Sequence, residues 1–304
     1  MIIAAKGVVA SSGLAKVAGY AAGGRTTVDV ATVDKFLFAD DSRTTLGTGL
    51  SGARRQMAGM NSSVAGYVGG GYATGYKTTV DKFLFSDDSR TTLGTGLSVA
   101  RVDLAGFNSQ NAGYFAGGAY DPGAVEVTTV DKFAFSNDAR TTLGTGLSSA
   151  RTGVTGFESN ASGYVCAGAT DLSTPVLVTT VDKFAFSNDA RTTLGTGVST
   201  ASYFGNGFAS TVAGYCSLGY TTVYVATIDK FAFSDDSRTT LGTGLSTARG
   251  STAGFESSVA GYIAGGSYGT KVTTVDKFAF SNDAASTLGT GLSSARTGIA
   301  GFSG

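Results

Sequence analysis

The chain has 304 residues, with 22 cationic and 22 anionic side chains and no histidine, so it lacks the basic excess that nucleic-acid binders carry. Apolar residues make up 42%, enough for a sizeable core, and no apolar run reaches the roughly 18 residues that span a bilayer. With 46 glycines, two prolines and no tryptophan, the composition points to one all-β body.

Residues 1–15, MIIAAKGVVASSGLA, form a divergent extension expected to cap the body or act as a tether. They lack a basic start followed by a sustained apolar stretch, so no secretory leader is read and synthesis is expected in the cytoplasm, with assembly into a particle as one outcome. From there on the chain repeats. The string V/I-D-K-F occurs six times, with its aspartate at Asp34, Asp81, Asp131, Asp182, Asp229 and Asp276, spaced by 47, 50, 51, 47 and 47 residues.

Each unit predicts four strands. Strand A follows an A-R pair, as in Thr152 to Phe157; strand B is G-Y-x-x-G-G, as in Gly261 to Gly266; strand C is T-V-D-K-F-x-F; strand D is T-T-L-G-T-G-L. Ser, Asp and Asn between C and D favour a tight turn. Both phenylalanines of each F-x-F are expected to be buried. The chain starts with a strand B at Ala18 to Gly24 and stops after a lone strand A, Ser294 to Phe302. Residues 295–304 are therefore expected to complete the first unit, 16–50, with the other five units in 51–294, removing the open edges of the sheet.

Four short strands per unit of 40 to 50 residues is the propeller pattern. The repeat resembles the kelch type, the type of the galactose-oxidase central domain. The matching residues are the aromatic before a double glycine, at Tyr20/Gly23/Gly24, Tyr67/Gly69/Gly70, Tyr114/Gly117/Gly118 and Tyr262/Gly265/Gly266, and the arginine that opens strand A. Leucine (Leu46, Leu93, Leu143, Leu194, Leu241, Leu288) stands where that family has tryptophan, and two units erode the glycine pair to Ala167-Gly168 and Leu218-Gly219. The resemblance implies an all-β, six-bladed β-propeller of four-stranded antiparallel blades, closed by the C-terminal strand. The near-identity of the units resembles amplified-repeat propellers of phages and environmental bacteria, and implies a virion attachment or decoration protein.

The repeated Asp, Lys and Arg are expected to serve blade-to-blade bonding, because a site is normally made once. Ser202 and Ala285 break the two arginine series. What does not repeat gathers in the B–C loops and beside the start of strand A, at one mouth of the ring: Arg25, Arg55, Tyr72, Tyr76, Asp103, Tyr120, Asp121, Tyr203, Tyr220, Tyr224, Tyr268 and Lys271. Tyrosine joins an apolar ring to a polar tip, which suits sugars and protein surfaces. Tyr72, Tyr120, Tyr220 and Tyr268 are expected to recur around one rim. Glu158 and Glu256 fall in turns at the opposite mouth.

The expected function is non-catalytic recognition of a surface glycan or protein receptor at that mouth. The alternative is a scaffold joined to other virion subunits, and an oligomer fits either. Without histidine no serine or cysteine triad and no copper-oxidase ligand set can form. A glycosidase needs only two carboxylates, which Asp103, Asp121, Glu126 and Asp171 could supply. No cofactor or metal is expected. Cys166 and Cys216 follow their Gly-Tyr pairs at different offsets, so strand alternation puts them on opposite sheet faces, as unpaired core residues.

Overall fold

The computed structural model describes residues 16–120, 122–171 and 174–304; the extension expected over 1–15 lies outside the described residues, as does Asp121. The fold is all-β and antiparallel, with six four-stranded sheets, numbered here 1 to 6 in chain order, and a seventh sheet of three short strands. Among the described residues no helix is long and apolar enough to cross a membrane.

In every four-stranded sheet the order is A-B-C-D. Sheet 4 is typical: Thr155–Glu158, Ser162–Cys166, Val181–Ala185 and Arg191–Thr193. Sheet 1 takes its strand A from the far end of the chain, Ala300–Ser303, which pairs with Ala18–Ala22 in the register Tyr20↔Phe302. Strand D is shorter than expected. Only three residues pair, and Leu46 and Leu50 then bond Val33 and Ala31, so that Gly47, Thr48 and Gly49 bulge out between them.

The A strands stand innermost and touch one another in a closed circuit from sheet 1 to sheet 6 and back. Glycine makes this approach possible. A Cβ on Gly59, Gly106, Gly156, Gly207, Gly254 or Gly301 would in each case strike the carbonyl oxygen of the matching glycine in the preceding sheet, Gly301 for Gly59.

Aromatic stacks fill the spaces between sheets. Tyr20 lies 4.8 Å from Phe302 and 5.6 Å from Phe85 of the next sheet. The first phenylalanine of each F-x-F is buried, contributing roughly 1.5–3 kcal/mol. The second, nearer the sheet end, is only partly buried.

Of two repeated charge motifs, one ties each unit to itself, and only the other runs from sheet to sheet as expected of the repeated charges. In the first, Asp81 Oδ2 accepts from the amide and hydroxyl of Ser51, both at 2.9 Å, and faces Arg54 Nη1 at 3.0 Å, which fixes the D–A segment to strand C. Sheets 1, 3, 4 and 6 keep this pair of buried ions; sheet 5 has Ser202 in place of the arginine. In the second, Tyr67 and Lys82 both donate to Asp138 in the C–D turn of the next sheet, at 2.9 and 2.8 Å. This clip recurs around the ring and ends with Tyr262 and Lys277 on Asp41.

The cysteines are buried core residues on opposite sheet faces, as the sequence reading expects, but they meet each other. Sheets 4 and 5 are neighbours, so those two faces meet. Cys166 and Cys216 share one buried cluster with Leu218 and Phe231, both as free thiols, and burial together with a hydrogen bond to Cys216 holds the Cys166 thiol well above its usual pKa.

Candidate functional site

Two pockets lie along the axis between the A strands, one toward each mouth. At the mouth formed by the D–A and B–C segments, each unit places the second residue after the strand-A arginine position in the left-handed region: Gln56, Asp103, Gly153, Phe204, Ser251 and Gly298, with φ of 54 to 67°. Their amides close a ring. The N–H of Asp103 donates to Gln56, Gly153 to Asp103, Phe204 to Gly153, Ser251 to Phe204, Gly298 to Ser251 and Gln56 to Gly298, at 2.8 to 3.0 Å. Four of these residues are not glycine, so the ring holds strained backbone beside the pocket its side chains line. The sequence reading named Asp103 alone among them. The signal available was that this position differs in nearly every unit, inside a segment that is otherwise repeated.

Asp103 is half-buried and accepts a 2.7 Å hydrogen bond from Gln56 Nε2. Desolvation pushes its carboxyl up to about 7, against the opposing pull of Gln56 and Arg55.

Outside this ring, each unit builds a small antiparallel triad from one residue of the D–A segment and two of the B–C loop. The triads are Thr297–Arg25–Asp29, Arg55–Tyr72–Tyr76, Thr152–Ala169–Leu177, Tyr203–Tyr220–Tyr224 and Gly250–Ser267–Lys271. In unit 3 the same triad lengthens to two residues per strand, Arg101–Val102, Ala119–Tyr120 and Val125–Glu126, which is the seventh sheet.

Eight of the twelve expected residues thus occupy matching triad positions: Arg25, Arg55, Tyr72, Tyr76, Tyr203, Tyr220, Tyr224 and Lys271. The expectation for the four rim tyrosines needs correction. Tyr72 and Tyr220 are central triad residues, whereas Tyr120 and Tyr268 stand one residue further on, and strand alternation turns them to the other side. Tyr268 is exposed at a loop tip.

The structure gathers these residues into two clusters. On units 1 and 2, Arg55 lies 4.5 Å over the Tyr72 ring and binds both carboxylate oxygens of Asp29 at 2.7 and 2.9 Å, with Tyr76 edge-on to Tyr72. On unit 5, Tyr203 packs on Phe204 at 4.1 Å and on Tyr220 at 5.5 Å, and Tyr220 meets Tyr224 at 5.0 Å.

No protein-family model matches the sequence, and no curated protein aligns with it. Among solved structures, one titled "Structure of YjhT" superposes with a TM-score of 0.70 over 90% of this chain and 97% of that chain, at 14% identity. The chain is a β-propeller. At that identity the likeness is one of fold, and the residues of this propeller's mouth must speak for themselves.

The propeller's opposite mouth also carries chemistry that the sequence reading missed. Glu158 and Glu256 were expected in turns; they end strands A of sheets 4 and 6 and line the axial pocket of that mouth. The ammonium of Lys16 pairs with Glu256. Burial and then Glu256 push Glu158 up to about 8, with Lys16 opposing. Burial alone would lower the Lys16 pKa, but Glu256 and Glu158 together raise it. The serines of the A–B turns, Ser62, Ser109, Ser159 and Ser257, bond the backbone of their own turns.

Proposed function

We propose that this chain is a six-bladed, kelch-type propeller acting as a non-catalytic recognition module, with its ligand held at the mouth where Tyr203, Tyr220 and Tyr224 cluster. The six-blade count rests on the six innermost strands and on the seventh sheet being one unit's version of a triad that all six units carry. The resemblance to amplified phage propellers supports an attachment or decoration role on a virion.

One observation carries the reading. Unit 5 alone lacks the buried arginine that pairs with the strand-C aspartate, and it is the unit that gathers four aromatic side chains at the mouth. Ser202 Oγ, in the arginine's place, is buried without a hydrogen-bond partner. A structural feature kept in every other unit has given way where the surface is most divergent, the pattern expected of a functional site. A two-carboxylate hydrolase is less well supported, because Asp103 is the one carboxylate among the described residues lining the axial pocket of this mouth.

A second reading has its own observation. At the opposite face Val17, Val64, Val212 and Val259 are each more than half exposed, on four consecutive blades, which would suit a scaffold that seats another subunit there.

Retention of the labelled protein on intact bacterial cells from a broad panel separates the two. Changing Tyr203, Tyr220 and Tyr224 together to alanine is expected to lower retention by at least about tenfold, while Val64, Val212 and Val259 changed to serine leave it intact. The reverse pattern would favour the scaffold.

A further inference from the structure

The two aromatic clusters and the axial pocket are parts of one surface. Arg55 and Gln56 are chain neighbours, as are Tyr203 and Phe204; the first of each pair belongs to a cluster and the second lines the pocket. Units 2 and 5 are three places apart in a closed ring of six A strands, so their clusters stand on opposite sides of the axis. The result is a track across the mouth: Tyr76, Tyr72 and Arg55 at one end, polar side chains at the axis, and Tyr203, Tyr220 and Tyr224 at the other.

Its chemistry is graded. Both ends offer half-buried tyrosines, with an apolar ring and a hydroxyl on the same side chain. The centre offers a carboxyl, an amide and a hydroxyl from Asp103, Gln56 and Ser251, beside the ring of Phe204. Arg55 is already committed to Asp29 and to the face of Tyr72, and among the described residues no cationic side chain lines the axial pocket. Alternating ring faces and hydrogen-bonding groups over an extended path match a chain of pyranose rings. A pocket whose one ionisable side chain among the described residues is a carboxyl does not match an acidic sugar.

Resting on the reading of this mouth as the recognition surface, we propose that its occupant is an extended, uncharged or amino-bearing oligosaccharide. It lies across the mouth from the Tyr72 cluster to the Tyr220 cluster, with its middle residues over Gln56, Asp103 and Ser251.

Calorimetric titration of the full chain tests this, using cellohexaose, maltohexaose, laminarihexaose, mannohexaose, chitohexaose and hexameric chitosan, each with its disaccharide. At least one hexasaccharide is expected to bind more than about tenfold tighter than its disaccharide. Tyr72→Ala and Tyr220→Ala should each remove most of that advantage, with melting unchanged. Equal affinity of hexamer and dimer, or a hexamer affinity that survives both substitutions, would overturn the track. Absence of binding across the panel would overturn the glycan assignment. Neither result bears on the cell-retention experiment, whose failure alone counts against the mouth.

Discussion

Arg296 Nη1 stands 3.0 Å from Asp34 Oδ2, and both side chains are fully buried. The pair joins the last strand of the chain to the first sheet, and Ser293 adds two more bonds to the same oxygen, at 2.8 and 2.9 Å. Elsewhere the equivalent ions are neighbours along one continuous unit; here they lock the two ends of the chain together.

Removal of residues 295–304 is therefore expected to abolish cooperative unfolding, because it strips sheet 1 of its inner strand and leaves the A strands of sheets 2 and 6 without the strand between them. Arg296→Ala alone should cost about 3–5 kcal/mol, since Asp34 would be left charged and buried. Urea denaturation of both variants checks this. A truncated protein that melts like the full chain would contradict the closure described here.

The gap in unit 5 gives a second expectation. Asp131 faces Arg101 Nη2 at 2.6 Å, whereas Asp229 has Ser199 and Thr240 as hydrogen-bond donors. Asp131→Asn leaves a buried guanidinium without its counter-ion and should cost about 3–5 kcal/mol. Asp229→Asn leaves no such ion and should cost about 1–3 kcal/mol. Equal losses measured by denaturant midpoint would show that the arginine is not what distinguishes the units.

The glycine ring at the axis supplies a third. Gly106→Ala would drive a methyl group into the Gly59 carbonyl, and a cost of about 1–3 kcal/mol or more follows from overpacking. Gly144→Ala is the control, because nothing lies within 4 Å of a Cβ there. Its thermal midpoint should stay at the wild-type value while that of Gly106→Ala falls.

Stability should also depend on pH through the two raised carboxyls. Glu158 is pushed up to about 8 and Asp103 to about 7, each by burial first. A carboxyl whose pKa is higher folded than unfolded holds its proton more tightly in the folded state. Its contribution is complete below about pH 4 and is lost as the pH climbs through the folded value. The melting midpoint should fall from about pH 4 to about pH 8, with the loss of the Asp103 share complete first. Glu158→Gln should flatten the upper part of the fall, and adding Asp103→Asn the lower part. A double variant that keeps the full wild-type slope would place its origin elsewhere.

The repeat alone determined much of this molecule. Six V/I-D-K-F strings with even spacing set the strand order within each sheet, and the strand A near residue 300 matched the first sheet, which has no strand A of its own. The unmatched tyrosines already marked one mouth, since an insertion of Tyr220 or Tyr72 into an otherwise copied unit is visible without coordinates. Strand alternation, however, assigns a side chain to a face of its own sheet and says nothing of what stands opposite. Only the ring decided that Cys166 meets Cys216, that Tyr120 and Tyr268 point away from the side taken by Tyr72 and Tyr220, and that Glu158, Glu256 and Lys16 converge at the axis. The left-handed ring of Gln56, Asp103, Phe204 and Ser251 was likewise beyond the sequence. Its backbone conformation is held by hydrogen bonds from one unit to the next, and those exist only once all six have closed.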